Sequence, residues 1–203
     1  MYAITMISLD QSAATIALGI QASQSPVGEM LTYQAGMPLE KFLRSSRFDA
    51  IITPGNSFGH MTGGFDGALV DYFGEDLDDQ VRKTILQDWL GELPVGNAIR
   101  IPLPYSNATK CVIYAPTMRV PKELDKNSDA PYNATLAAFQ AIAQWNVNPR
   151  SINAKIRKIL LPVMGMGTGM LPLRLVANQM HMALERAIAP TAIQDLGTDG
   201  AQN

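Results

Sequence analysis

The feature that most constrains the fold is the alternation of short apolar runs with longer segments of helical periodicity. Two of the runs, DAIITP at residues 49–54 and KILLPV at residues 158–163, are apolar almost without interruption. Strands that alternate with helices form parallel sheets, and such strands are buried on both faces because helices cover both sides. The sequence therefore predicts an α/β fold with three α/β/α layers around a central sheet of about six strands.

These patterns predict six strands and six helices. The strand candidates are Tyr2–Leu9, Glu29–Gln34, Ala50–Thr53, Asn97–Ile101, Cys111–Ala115 and Lys158–Val163. The helix candidates are Gln11–Gln21, Pro38–Ser45, Phe65–Phe73, Leu77–Leu90, Tyr132–Trp145 and Pro172–Ile188. A Pro/Ser/Asn turn joins the two consecutive strands within residues 97–115, so we expect a mixed, mostly parallel sheet. The polar, proline-punctuated segment 116–130 predicts a surface loop.

The length of the chain limits how many domains it can form, and its charge limits which partners it can bind. The 203 residues, 47% of them hydrophobic, suffice for one good core, so we expect a single domain over residues 1–189. Residues 190–203 lack periodicity and are expected to be a disordered tail. The formal net charge is −2, and no cluster of Lys or Arg indicates a nucleic-acid or anionic membrane surface. An anionic ligand would therefore be held mainly by backbone amides.

The chain carries no recognisable targeting signal or metal-binding motif. Its first residues lack a basic region and a cleavage site, and no apolar stretch approaches the roughly 20 residues that span a bilayer. These features predict a cytoplasmic protein. The single Cys111 excludes an internal disulfide and a cysteine-cluster metal site, and its strand-like surroundings favour a buried side chain. With two histidines in the chain, no catalytic metal and no cofactor are predicted.

Two glycine-rich loops follow the two most apolar strands. The first, ITPGNSFGHMTGGFDGAL, spans residues 52–69 and contains five glycines, and the second, MGMGTGM, spans residues 164–170. Ligands of open α/β sheets bind at the carboxyl ends of the strands. Each loop also leads into a helix, whose free N–H groups and positive dipole end favour an anion. The two loops are therefore suited to clasp a diphosphate from both sides.

Familiar nucleotide motifs do not fit either loop. A Walker A loop needs Lys-Ser or Lys-Thr after its last glycine, where this chain has Phe65. The dinucleotide fingerprint lacks its third glycine, because Met170 stands there, and the loop belongs to the last strand-helix unit. Asp10, after the first strand, fits either a methyltransferase-like cofactor site or a helix N-cap, and the N-cap is favoured.

The first loop and its strand resemble the signature loop of macro domains, an α/β family that binds ADP-ribose. In that family an apolar strand beginning with Asp runs into Asn-Ser, a Gly-Gly pair and Asp-Gly-Ala at a helix start, as DAIITPGNSFGHMTGGFDGAL does. LPVMGMGTGM resembles the family's second phosphate loop. The likeness covers about residues 28–189, and the first loop looks closest to the bacterial and phage-associated branch. It implies a macro-domain-like fold that binds ADP-ribose or an ADP-ribosylated substrate.

The resemblance also implies roles for individual residues. Asn56 would meet the distal ribose, and Asp66 would lie near its anomeric carbon, where catalytic members hydrolyse ADP-ribosyl or O-acyl-ADP-ribose esters. We hypothesise that Asp66 orients or deprotonates the attacking water, so Asn56 and Asp66 are the candidate catalytic residues. The candidate ligand-binding residues are Gly55, Ser57, Gly63, Gly64, Phe65, Gly165, Met166, Gly167, Thr168, Gly169, Met170 and Asp10.

The chain departs from the family pattern at two places. Thr53 stands where typical macro domains carry an asparagine. Ala35, Gly36 and Met37 occupy the place of the acidic residue that receives the adenine amino group, and Asp10 is a candidate substitute.

Other interpretations stay open at this point. The helix dipole alone favours an aspartate in the first turn of a helix, so Asp66 fits a purely structural role as well. The chain also fits a non-catalytic module that recognises ADP-ribose or a nucleotide. A third possibility is a structural or assembly protein of a phage or mobile element that retains the fold.

Overall fold

The computed structural model describes residues 1–149 and 152–188. Its strands are β1 Ala3–Ser8, β2 Leu31–Ala35, β3 Phe48–Asn56, β4 Ile99–Pro102, β5 Thr109–Met118 and β6 Lys158–Pro162. Its α-helices are α1 Ser12–Ala22, α2 Leu39–Ser45, α3 Gly64–Phe73, α4 Asp76–Asp88, α5 Ala130–Val147 and α6 Leu173–Ile188. The predicted tail 190–203 lies outside the described residues. Within them, no helix has the length and apolar character needed to cross a membrane.

The six strands form one mixed sheet in the order β2-β1-β6-β3-β5-β4. All neighbouring pairs are parallel except β4 and β5, which run antiparallel. The short connection 103–108 explains this exception, since it is long enough for a hairpin but too short for the crossover that parallel strands need. The predicted mixed, mostly parallel sheet is confirmed.

Helices cover both faces of this sheet. Alternate residues of a strand point to opposite faces, so Ile51 and Ile52 of β3 belong to two different cores. Ile52 packs in the core that includes residues of α1, α5 and α6, whereas Ile51 packs in the core that includes residues of α2, α3 and α4. The predicted three-layer α/β/α architecture is confirmed.

The end of β5 differs from the sequence prediction. The segment beginning at Pro116 was expected to be a surface loop, and this is wrong for Pro116, Thr117 and Met118, which are buried and continue the strand. Gly55 pairs with Pro116 and Asn56 with Met118, so Thr117 is the extra residue of a bulge. A bulge accommodates a proline that would interrupt regular pairing.

The central strands β3 and β6 separate toward their carboxyl ends. They pair only at Ala50–Ile159 and Ile51–Leu160, whereas β6 stays paired with β1 as far as Pro162. Val163 N–H donates to β1, and successive N–H groups point to opposite neighbours, so residue 162 would donate toward β3. Proline has no N–H to donate there. The hydrogen-bonded pairing of β3 with β6 therefore ends before the strands do. The two strands are left unpaired with each other at their carboxyl ends.

Candidate functional site

A cavity of about 270 Å³ lies at the carboxyl ends of β3, β5 and β6. It is formed by the first glycine-rich loop, the end of β5 and the second glycine-rich loop. The lining residues are Pro54, Gly55, Asn56, His60, Thr62, Gly63, Gly64, Phe65, Asp66, Thr117, Met118, Pro121, Val163, Gly165, Gly167, Thr168 and Gly169. The two loops that the sequence singled out thus border the same cavity.

The second loop presents a run of backbone N–H groups. Among the described residues, the N–H groups of residues 165–169 have no acceptor, although Met170 N–H donates to Gly167 O at 3.0 Å and Leu171 N–H to Gly165 O at 3.1 Å. The loop depends on glycine at two places. Gly165 has a φ of +79°, and a Cβ on Gly169 would lie 2.6 Å from Gly165 O. Glycine therefore permits a turn that leaves five consecutive N–H groups available.

The first loop ends at the N-terminus of α3, where further N–H groups are available. Gly63 is the N-cap and supplies no side-chain cap, and the first backbone bond of the helix runs from Gly67 N–H to Gly63 O at 3.1 Å. The N–H groups of residues 64–66 precede this bond and have no intrahelical partner. Together with the helix dipole they favour an anion at this end of the cavity.

The described residues that line the cavity include no lysine or arginine to hold such an anion. The titratable side chains among them are Asp66 and His60. Nor do any three His, Cys, Asp or Glu side chains in the described part of the chain come together as a metal site. Recognition of an anion here would rest on backbone N–H groups.

Asp66 is a buried carboxylate, with 8% of its surface exposed. The Thr53 hydroxyl donates a hydrogen bond of 2.5 Å to its Oδ1. Burial raises the pKa of Asp66 from its ordinary 3.8 to about 7; the charge of Asp78 adds to this rise, and the hydrogen bond from Thr53 opposes it. Near neutral pH both protonation states are populated, which suits a group that exchanges a proton with water.

Asn56 shapes the first loop from within. Its Nδ2 donates to His60 O at 2.8 Å, and its Oδ1 accepts from Phe58 N–H at 3.1 Å and His60 N–H at 3.4 Å. These bonds hold the turn that follows β3. Nδ2 carries two hydrogens, so one remains for a ligand in the cavity that Asn56 lines.

Tyr114 of β5 supports Asn56 from the neighbouring strand, a role that the sequence analysis did not identify. Its hydroxyl accepts from Asn56 N–H at 2.9 Å and donates to Asn56 O at 2.7 Å. A Cβ on Gly55 would lie 2.1 Å from this hydroxyl, so the contact requires glycine at position 55. The available signal was a tyrosine within the apolar run Cys111–Ala115, because a buried tyrosine hydroxyl needs a partner.

Four predicted ligand-binding residues, Asp10, Ser57, Met166 and Met170, are not among the described residues that line the cavity. Ser57 is buried, and its N–H donates to the carbonyls of Met118 and Arg119, which anchors the loop to the end of β5. Met166 packs against the core, whereas Met170 is exposed. Their ligand contacts stay predictions.

Asp10 acts at the start of α1. Its Oδ1 accepts from the backbone N–H of Ser12 at 2.9 Å and from the Ser12 hydroxyl. These hydrogen bonds lower the pKa of Asp10. The N-cap residue of α1 is Gln11, so the favoured N-cap role of Asp10 is wrong; its carboxylate instead orders the turn directly before the helix.

Comparisons with known proteins agree with this fold. A family model described as a macro-like domain matches residues 30–193. An uncharacterized protein from Aeropyrum pernix is 30% identical over 141 residues, which cover 70% of this chain and 66% of the relative. The match therefore spans just under two thirds of that relative's length.

Solved structures show the same fold at low sequence identity. The macrodomain of Mycobacterium tuberculosis DarG matches with a TM-score of 0.60 and 18% identity, over 77% of this chain and 91% of that one. The Oceanobacillus iheyensis macrodomain solved with ADP matches with a TM-score of 0.54 and 18% identity, over 68% of both chains. A mutant of that macrodomain solved with ADPR matches with a TM-score of 0.53 and 18% identity, over 68% and 70%.

Proposed function

The chain belongs to the macro-like domain family, and from this premise we propose that it binds ADP-ribose and hydrolyses its esters. The substrate class is an ADP-ribosylated carboxylate or an O-acyl-ADP-ribose. One observation carries the proposal: a single cavity is bordered by one buried carboxylate and by two segments whose backbone N–H groups have no acceptor among the described residues. Structural neighbours solved with ADP and with ADPR support the choice of ligand.

The diphosphate binds to the second loop. The N–H groups of residues 165–169 donate to its oxygens, and those of residues 64–66 lie at the positive end of α3. The cavity volume of about 270 Å³ is just below the range of small-molecule pockets, which begins at about 300 Å³. It accommodates the distal ribose and the diphosphate, and the adenosine half extends beyond it.

The distal ribose binds to the first loop. A Cβ on Gly63 or Gly64 would meet no protein atom within 4 Å, so the backbone there is open to a close ligand. Asn56 donates its remaining Nδ2 hydrogen to a ribose hydroxyl. Phe65 is half-buried and lines the cavity, where its ring covers the apolar side of the sugar.

Asp66 assists the attack of water on the anomeric carbon. Its ionised form accepts a proton as the water oxygen bonds to that carbon and the ester C–O bond breaks, releasing a carboxylate. The sugar develops oxocarbenium character in this step, which a nearby carboxylate and a clamped diphosphate both stabilise. Asp66 then returns its proton to solvent.

Two measurements test the proposal. Calorimetry with ADP-ribose is expected to give a saturable heat for the wild type and for Asp66→Ala. Release of ADP-ribose from an ADP-ribosylated glutamate peptide should fall about 10²-fold or more in Asp66→Ala, since general-base catalysis contributes about 10² to 10⁴-fold. Asp71→Ala, on an exposed position of the same helix, is the matched control. Unchanged turnover in Asp66→Ala would remove the catalytic role, and no heat at millimolar ADP-ribose would remove the binding claim.

Recognition without catalysis is the second candidate. The Asn56 side chain favours it, because three of its hydrogen-bonding positions are used within its own loop. A recognition module gives the calorimetric heat and no product release from any variant.

A further inference from the structure

Thr53 contacts the proposed catalytic carboxylate from within the sheet. It lies in β3 with 0% of its surface exposed, and it is not among the described residues that line the cavity, whereas Asp66 is. Its hydroxyl has two acceptors within reach, Asp66 Oδ1 at 2.5 Å and Pro54 O at 3.5 Å. The shorter bond goes to the carboxylate, so Thr53 holds Asp66 on the side away from a ligand.

The hydroxyl is not required for packing at this position. Valine has nearly the same shape and fills a buried strand position without placing a polar group in the core. A buried hydroxyl that donates to a carboxylate stabilises the ionised form of that carboxylate. The hydrogen bond therefore affects both the position and the protonation of Asp66.

We infer that Thr53 is a positioning residue of the proposed hydrolase, whose hydroxyl fixes Oδ1 of Asp66 and sets the pH range of the reaction. This inference rests on the proposed function. Oδ2 of Asp66 accepts no hydrogen bond from the described residues, so it is the oxygen that takes the proton from water. Thr53 itself touches neither the water nor the sugar.

Titratable side chains on other helices, strands and loops also surround Asp66. Asp78 of α4 raises its pKa through its charge, while Asp78 itself accepts from Met61 N–H at 2.8 Å and pairs with Arg82 at 2.9 Å. Tyr114 of β5 is close enough to sense the charge of Asp66, and burial raises the pKa of Tyr114, so its hydroxyl stays neutral. His60 lines the same cavity. Of these neighbours, Thr53 is the one that donates a hydrogen bond to Asp66.

The test compares variants with and without the hydroxyl. Thr53→Val and Thr53→Ala remove it, and Thr53→Ser retains it. Carbon-13 NMR of the Asp66 carboxyl, assigned with Asp66→Asn, follows protonation directly. Without the hydroxyl we expect the midpoint to rise by about one pH unit, and with serine to stay at the wild-type value. Thr53→Ala serves as a second variant without the hydroxyl if Thr53→Val does not fold. The smaller alanine side chain leaves space and introduces no strain.

Kinetics give the second readout. The acidic limb of the kcat profile should move with the NMR midpoint in Thr53→Val, and kcat at pH 7 should fall roughly fivefold while KM changes little. Thr53→Ser should restore the wild-type profile. An unchanged NMR midpoint in folded Thr53→Val and Thr53→Ala overturns the inference. The NMR titration needs no turnover, so a chain that hydrolyses nothing refutes the proposed reaction without deciding the role of Thr53.

Discussion

The two glycine-rich loops border one cavity but are built in different ways. Side chains fix the first loop: Asn56 bonds within it, Thr53 holds Asp66, and Asp78 accepts from Met61 N–H. The second loop is closed by backbone hydrogen bonds, and its shape depends on the absence of side chains at Gly165 and Gly169. The difference fits the proposed division of roles, in which the first loop positions Asn56 and Asp66 and the backbone N–H groups of the second loop bind the diphosphate.

The largest expected effect is on the free energy of unfolding and comes from Asp66, the carboxylate of the first loop. A pKa raised from 3.8 to about 7 means that ionising Asp66 destabilises the folded state, so the contribution of Asp66 to stability falls as pH rises from about 4 to about 7. Asp66→Asn has no carboxylate to ionise at this position, so it does not lose this stability as pH rises. Its free energy of unfolding should exceed the wild-type value by roughly 4 kcal/mol at pH 8 and by little at pH 4.

Urea unfolding at both pH values measures this difference. Asp71→Asn, at an exposed position of the same helix, serves as the control and should follow the wild type at each pH. Parallel pH curves for wild type and Asp66→Asn would mean that Asp66 is not held in an environment that penalises its charge.

The next largest expected effect is a difference in stability between substitutions at Gly55 and at Gly63 of the first loop. Alanine at position 55 places its Cβ 2.1 Å from the hydroxyl of Tyr114 and 2.3 Å from its Cζ, both fixed in the core. We expect Gly55→Ala to lower the free energy of unfolding by about 3 kcal/mol, as overpacking does. In Gly63→Ala the new Cβ meets no protein atom within 4 Å, so the variant should lose less than about 1 kcal/mol, the cost of replacing a glycine N-cap by alanine. Equal stability of the two variants, measured in urea, would contradict the packing role of Gly55.

A smaller effect tests whether the second loop binds through its backbone. A Cβ on Gly169 would come within 2.6 Å of Gly165 O and 2.9 Å of Leu124 Cδ1, so Gly169→Ala must displace the loop. We expect its affinity for ADP-ribose to fall about tenfold, which is about 1.4 kcal/mol. Thr168→Ala keeps its backbone N–H and should bind within about threefold of the wild type. The reverse ranking by calorimetry would show that side chains carry recognition there.

The smallest effect comes from a carboxylate at the opposite end of the sheet. Burial alone raises the pKa of Asp49, but hydrogen bonds from Lys110 and from the N–H groups of Lys158 and Arg157 outweigh it, so its pKa lies below the ordinary value. Its stabilising contribution is therefore present at neutral pH and lost as pH falls through its folded pKa. Asp49→Asn should cost about 1 kcal/mol at pH 7, less in acid, with unchanged ADP-ribose affinity. A cost that grows in acid would contradict this sign.

The elements and the two loops could be predicted because their signals are local. Apolar runs, helical spacing and glycine clusters specify strands, helices and turns whatever their neighbours are. The continuation of β5 through Pro116 could not be predicted in this way, since it depends on pairing with Gly55 and on a bulge at Thr117. Such pairing is a property of the assembled sheet.

The residues that hold the site in place were harder to predict from the sequence than the two loops. Thr53 and Asp66 are separated by 13 positions, and Tyr114 and Asn56 by 58, so only the folded sheet brings each pair together. Ser57 lies next to Asn56 in sequence but is buried against the end of β5. Adjacency in the sequence therefore does not identify which residues line the cavity, because β3 ends at Asn56 and the chain turns at Ser57.

The central claim is that ADP-ribose is held between the two loops by backbone N–H groups. Proton–nitrogen correlation NMR, with ADP-ribose added to the full chain, observes those groups directly. We predict saturable shifts, largest at the amides of residues 165–169 and next at those of residues 64–66. No shift at millimolar ADP-ribose, or shifts centred elsewhere in the chain, would contradict the account.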